Sequence, residues 1–197
     1  MPDRDLRFFD QVSSRYDTHW IQRFARPIHA RLLGTIQRPP EAVLDVGCGT
    51  GALLGQIGER FPQARLAGID AAPGMAAVAR RRLPAAEIRD GVAESLPWPD
   101  GAFDLAVTTL SFHHWRDQAQ GIREVARVLG PGGTFLLADI SGDGAIGVIV
   151  EGLRALSRHR DESFPPSPRV AAHMASAGFG QVSVAHLAPF RLISGRR

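Results

Sequence analysis

The sequence predicts an α/β fold: a doubly wound, mostly parallel sheet of seven strands, helices on both faces and an antiparallel last strand. Three observations carry this. Short apolar runs alternate with helical stretches from Ala42 to Asp139, the pattern of strand–helix–strand units. A glycine-rich turn, Gly47 to Gly51, joins the first run to the helix that follows. Two runs near the end of the chain, Gln181–Leu187 and Phe190–Ile193, meet across Ala188-Pro189 and read as a hairpin.

The elements follow in order. Residues 6–36 read as helical, because Phe8, Phe9, Val12, Tyr16, Trp20, Phe24, Ile28 and Leu32 recur at mostly helical spacing. Pro27 is expected to break this stretch in two, and Pro39-Pro40 to end it. Ala42–Val46 is the first strand and Gly51–Arg60 the first helix of the alternation. Arg65–Ile69 and Pro73–Leu83 repeat the pair, with proline at the helix start. Ala86–Arg89 and Phe103–Thr108 are strands three and four. Gln118–Leu129 is a helix stopped by Gly130-Pro131-Gly132-Gly133, before a fifth strand, Thr134–Asp139. Ile146–Arg158 and Arg169–Ala177 read as helices on either side of the proline-rich loop 164–168.

The chain has 197 residues, 44% hydrophobic and 22% charged, which suits one globular domain. No apolar run is long enough to span a membrane. The first residues mix acids and bases without an apolar stretch and do not read as a secretory signal. Cys48 is the single cysteine, which excludes an intramolecular disulfide and points to the cytoplasm. The net charge is only +3. The isoelectric point of about 10.3 reflects basic residues that are all arginine, a side chain that stays charged to very high pH. The arginines are scattered, with Arg80-Arg81-Arg82 the one tight run. No nucleic-acid partner is expected, and the chain is expected to be a monomer or homodimer.

Val43-Leu-Asp-Val-Gly-Cys-Gly-Thr-Gly51 is the most informative stretch. Glycines at 47, 49 and 51 let the chain turn sharply and approach a ligand, at the start of a helix whose free N–H groups carry a positive dipole end. In an open parallel sheet this is where ligands bind. Gly47-Cys-Gly-Thr-Gly-Ala52 also fits a dinucleotide fingerprint, so an NAD-dependent oxidoreductase stands as an alternative. Asp45 argues against it, since a carboxylate is unwelcome beside a pyrophosphate and suits a ligand with a positive group. Asp70 ends the second strand, 19 residues beyond Gly51, where a carboxylate can hold ribose hydroxyls or cap the next helix.

With these elements placed, the chain resembles the class I S-adenosylmethionine-dependent methyltransferases, most closely the small-molecule branch that includes ubiquinone and menaquinone biosynthesis enzymes. Besides residues 43–51, the resemblance rests on Gly68-Ile-Asp-Ala-Ala-Pro-Gly-Met75, Ala93-Glu-Ser-Leu-Pro-Trp-Pro-Asp-Gly-Ala-Phe-Asp104 and Arg127-Val-Leu-Gly-Pro-Gly-Gly133. It implies a Rossmann-like domain with S-adenosylmethionine as cofactor and a small-molecule methyl acceptor. Residues 1–38 would form a helical lid, 41–140 the cofactor-binding core, and 141–197 the substrate-side helices and terminal hairpin. Asp45, Gly47, Cys48, Gly49 and Gly51 would cradle the methionine end, and Asp70 the ribose. Ala71, Met75, Val92 and Ala93 would face the adenine, Thr109 and Leu110 the sulfonium, and Tyr16 would close over the cofactor. The family often carries an aspartate where this chain has Val92; Asp90 is a candidate substitute.

His113 and His114 stand just past the fourth strand, where one of them could serve as general base for an acceptor with a tightly held proton. Two adjacent histidines do not make a metal site, and no metal is expected. Thr108-Thr-Leu-Ser-Phe112 lacks the signature that DNA and protein methyltransferases carry at this place, which again points to a small molecule. A catalytically silent cofactor-binding module is the remaining alternative.

Overall fold

The computed structural model describes residues 3–13, 16, 22–156 and 163–197; Trp20 and Arg158, within the expected helices, lie outside them. Two helices, α1 (Asp3–Val12) and α2 (Gln22–Thr35), open the chain. The alternation then runs β1 (Ala42–Val46), α3 (Ala52–Arg60), β2 (Arg65–Asp70), α4 (Pro73–Arg82), β3 (Glu87–Asp90), β4 (Phe103–Thr109), α5 (Gln118–Val128) and β5 (Leu129–Ile140). Helices α6 (Gly144–Leu156) and α7 (Ser167–Ser176) precede the hairpin of β6 (Gly180–Leu187) and β7 (Phe190–Arg196).

The described strands form one sheet in the order β3-β2-β1-β4-β5-β7-β6. β1 to β5 pair in parallel, and β7 runs antiparallel to both of its neighbours. The chain moves outward from β1 to β3, then returns to place β4 on the other side of β1. Loops leaving β1 and β4 therefore diverge and open a crevice at the carboxyl edge of the sheet.

Both faces are covered, which explains the unbroken apolar runs of the central strands. Leu44, Val46, Phe135 and Leu137 pack with Ile122 and Val125 of α5 and with Val170 and Met174 of α7. Val43, Leu105, Val107 and Leu136 pack with Ile28 and Leu32 of α2, Leu54 and Ile57 of α3, and Ala76 of α4.

Two expectations about local structure are corrected. Pro27 lies inside α2 and does not break it. A proline removes one helical hydrogen bond, but Ala25, Ile28 and Leu32 are buried, and that burial holds the helix together. α5 stops just ahead of Gly130–Gly133, as expected, but that segment already belongs to β5, which begins at Leu129 and not at Thr134. Leu129 already pairs with Phe103, and pairing resumes at Leu105 with Thr134. The four residues between pass opposite Asp104 alone, a bulge. The Asp104 carboxylate accepts N–H bonds from Glu41 (2.9 Å) and Ala42 (2.8 Å) and fixes the start of β1.

The segment between β3 and β4 is held by Arg127 of α5. Its guanidinium donates to the carbonyls of Leu96 and Trp98, both at 2.8 Å, and pairs with Glu124 (2.8 Å) and Asp100 (2.9 Å). Glu124 also accepts the Leu96 N–H at 2.8 Å. Replacing Arg127 by Met is expected to destabilise the fold by about 1–3 kcal/mol, since two carbonyls and two carboxylates lose a charged donor; urea denaturation measures this.

Candidate functional site

The crevice between β1 and β4 is a partly open cleft lined by residues of α1, α2, β1, β2 and β4 and of the loops that follow the strands. One wall is the β1–α3 turn. Gly47 and Gly49 have φ of +76° and +54°, a conformation that favours glycine. A side chain at 47 would also overlap Ser111, whose Oγ lies 1.9 Å from the ideal Cβ position. Ser111 therefore fills the space that Gly47 leaves, and the tips of β1 and β4 interlock.

The amides of this turn are already engaged. Gly47 and Cys48 N–H donate to the Ile69 carbonyl at 2.8 and 3.0 Å, and Gly51 N–H to that of Cys48 at 2.9 Å. Gly49 N–H donates to Asp70 Oδ2 at 2.7 Å. Asp70 Oδ1 accepts from Ala72 N–H at 2.9 Å, so this carboxylate fastens the turn to the start of α4. Asp45 is 1% exposed, and its Oδ1 has no hydrogen-bond partner among the described residues. Burial and the neighbouring Asp70 charge push the Asp45 carboxyl up to about 8. Burial pushes Asp70 up to about 6, against the pull of the Ala72 and Gly49 amides. Two carboxylates and no spare amide at 47, 48, 49 or 51 make a poor pyrophosphate cradle and a good seat for a cation. This removes the support for a dinucleotide.

The other walls come from α1, α2, β3 and β4. Asp10 of α1 accepts the Gly74 N–H of α4 at 2.7 Å, which brings Phe9 and Tyr16 over the cleft. Their rings meet edge to face at 6.1 Å, and Phe9 meets His114 likewise at 5.4 Å. His29 of α2 is 6% exposed and lines the cleft; burial lowers its pKa to about 4.

Of the residues singled out in the sequence, Tyr16, Asp45, Gly47, Cys48, Gly49, Asp70, Ala71, Met75, Val92, Ala93, Thr109, Leu110 and His114 all line the cleft. Gly51 does not. It caps α3 at φ +77°, and a Cβ there would meet Leu83 and Ala79 at 3.1 and 3.3 Å, so its role is close packing of α3 on α4. His113 is also turned away. Its N–H and Nδ1 bond the two oxygens of Asp139 at 2.9 and 2.8 Å, and its ring stacks on Phe164 at 4.8 Å. Although burial opposes it, His113 and two amides hold the Asp139 carboxyl below its ordinary value. Asp90 does not stand in for the residue missing at Val92, since it pairs with Arg80 at 2.8 Å; the acid that reaches the cleft is Glu94. Phe9, Ala25, His29, Glu94, Ser111 and Trp115 line the cleft without having been singled out as site residues. The turn of a helix toward a cleft is set by tertiary packing, though Ser111 and Trp115 were signalled by their nearness to His113-His114.

Comparison with known proteins decides the family. The chain is 31% identical to the demethylmenaquinone methyltransferase of Thermus thermophilus, over 87% of this chain and 90% of that protein. This chain belongs to the S-adenosylmethionine-dependent methyltransferases. Residues 44–137 match the methyltransferase domain family. A malonyl-[acyl-carrier protein] O-methyltransferase of Geobacter sulfurreducens is 37% identical, over 74% of this chain and 58% of that protein. In structure, a possible histamine N-methyltransferase of Thermotoga maritima superposes with a TM-score of 0.78, at 21% identity, covering 95% of this chain and 97% of that one. The cofactor is S-adenosylmethionine, whose positive charge is compatible with a cleft that holds the unpartnered Asp45 Oδ1.

Two predictions follow from this geometry. Gly47→Ala is expected to weaken S-adenosylhomocysteine binding by more than about tenfold, because strain at φ +76° and the clash with Ser111 distort the turn. Adding Ser111→Gly should recover part of the loss by relieving the clash alone; calorimetry reads both. The second concerns pH. Asp45 holds its proton more tightly folded than unfolded, so it contributes stability at low pH that is lost as pH rises from about 4 through about 8. Thermal denaturation of the ligand-free protein over this range should show a decline that Asp45→Asn reduces.

Proposed function

We propose that this methyltransferase binds S-adenosylmethionine with the methionine ammonium on Asp45, the ribose hydroxyls on Asp70 and the adenine between Met75, Ala71 and the Val92–Ala93 segment. The observation that carries the reading is the Oδ1 of Asp45, buried and without a partner among the described residues, beside a second carboxylate and a turn whose amides at 47, 48, 49 and 51 are already bonded. Leaving that oxygen unpaired is unfavourable, and an ammonium satisfies it.

When bound, the cofactor supplies a methyl group on positively charged sulfur. The residues of the chain orient and shield it. Thr109 and Leu110, at the tip of β4, border the place of transfer, where alignment of the acceptor contributes most. Phe9 and Tyr16, on the lid side, and Trp115 exclude water. His114 faces the cleft and is the candidate base for acceptors that must lose a proton. His113 acts indirectly, by fixing the turn that carries His114.

The acceptor is a small molecule. Two of the three clustered arginines support this by turning toward the protein: Arg80 pairs with Asp90, and Arg82 donates to the Thr50 carbonyl at 2.9 Å. No described helix is long and apolar enough to cross a membrane, and the lone Cys48 suits the cytoplasm. Labelled S-adenosylmethionine, offered with a hydroquinone, a malonyl thioester and histamine, tests the acceptor classes named for the relatives. At the cofactor end, Asp70→Ala should weaken S-adenosylhomocysteine binding by about 1.5–3 kcal/mol. Unchanged affinity in a folded variant would remove Asp70 from the site.

A further inference from the structure

His29 carries no motif, yet its surroundings give it a direction. Gln56 Nε2 stands 3.4 Å from its Nδ1, and Thr109 Oγ1 stands 3.5 Å from its Nε2. An amide nitrogen can only donate, so Nδ1 accepts. A neutral imidazole has one proton, which must then sit on Nε2. Burial of the ring keeps it neutral over the physiological range. Nε2–H therefore donates to the Thr109 hydroxyl oxygen and leaves the hydroxyl hydrogen for a partner elsewhere. Thr109 lines the cleft. The turn after it is held in place: Leu110 has φ +50°, rare outside glycine, and its N–H is bonded to the Ala138 carbonyl at 2.9 Å.

We propose that Gln56, His29 and Thr109 form an ordered donor chain ending in the cleft, and that the methyl acceptor is held there through a lone pair on an oxygen next to its reacting atom. The proposal rests on the methyl-transfer reading of this cleft and narrows it. A phenolic, carbonyl or carboxyl oxygen accepts the Thr109 hydroxyl hydrogen. An ammonium has no lone pair to offer and leaves the donor unpaired, which a site built around a hydrogen bond disfavours. The aromatic side chains of Phe9, Tyr16 and His114 give an acceptor ring apolar contact on the same side. His29 and Gln56 are positioning residues, since they act through Thr109.

The test uses the whole chain saturated with S-adenosylhomocysteine and two probes of equal ring size, 2-naphthol and 2-naphthylmethylammonium. Calorimetry should show the phenol binding about fivefold to tenfold more tightly, the scale of one hydrogen bond. Thr109→Val should abolish that preference and Thr109→Ser retain it. Nitrogen NMR of the His29 ring should show the Nε2–H form, a signature that a merely structural histidine is not bound to give. The Nδ1–H form, no binding of the phenol, equal affinities, or a preference that survives in Thr109→Val would each overturn the proposal. Failure of the unmodified protein to bind S-adenosylhomocysteine would instead bring down the cofactor reading beneath it.

Discussion

The site is organised around two carboxylates at neighbouring strand tips, one buried and one half-buried. Asp45 ends up nearly sealed from water with one oxygen unsatisfied, and Asp70 uses both oxygens to hold the glycine turn and the start of α4. A fully buried, unpaired carboxylate is among the least favourable groups a fold can contain. The chain tolerates it by leaving it protonated when no cation is present, as the raised pKa indicates. That arrangement leaves an unmet demand for positive charge in the cleft. The amides of Gly47, Cys48, Gly49 and Gly51 are all bonded within the protein.

The far side of the cleft is braced by a second polar cluster. His113 bonds both oxygens of Asp139, its carbonyl accepts the Ser163 N–H at 3.0 Å, and Gln118 donates to the Phe112 and Ser163 carbonyls. Arg191 of β7, 1% exposed, donates to the Pro165 carbonyl, and Asp143 accepts the Ser167 N–H at 2.7 Å. These bonds tie the segment after α6 to the turn that carries Ser111, His114 and Trp115. Buried polar networks of this kind hold a single arrangement. The cluster explains why two adjacent histidines have such different surroundings: one is a brace, the other faces the cleft.

Much of this was legible in the residues. The alternation from Ala42 to Asp139, the glycine turn and the two acids follow local rules of spacing and conformation, and each such rule acts within a few residues. Pro27 was misread because burial of Ala25, Ile28 and Leu32 overrides local preference, and β5 starts earlier than expected because Leu129 pairs with Phe103. Gly51 looked like its two neighbours in the turn, yet it serves the contact with Ala79 and Leu83, which lie in another element.

By itself, then, the sequence determined the sheet class, the place of the ligand turn, and Asp45 and Asp70 as its acids, since these depend on periodicity and on which residues permit a sharp turn. Tertiary structure alone decided that Asp45 is orphaned, that His113 is withdrawn onto Asp139 while His114 is not, and that His29 reaches Thr109 across 80 residues. Those outcomes depend on how helices rotate against the sheet and which polar groups meet, and contacts between residues far apart in the chain leave no periodic trace along it.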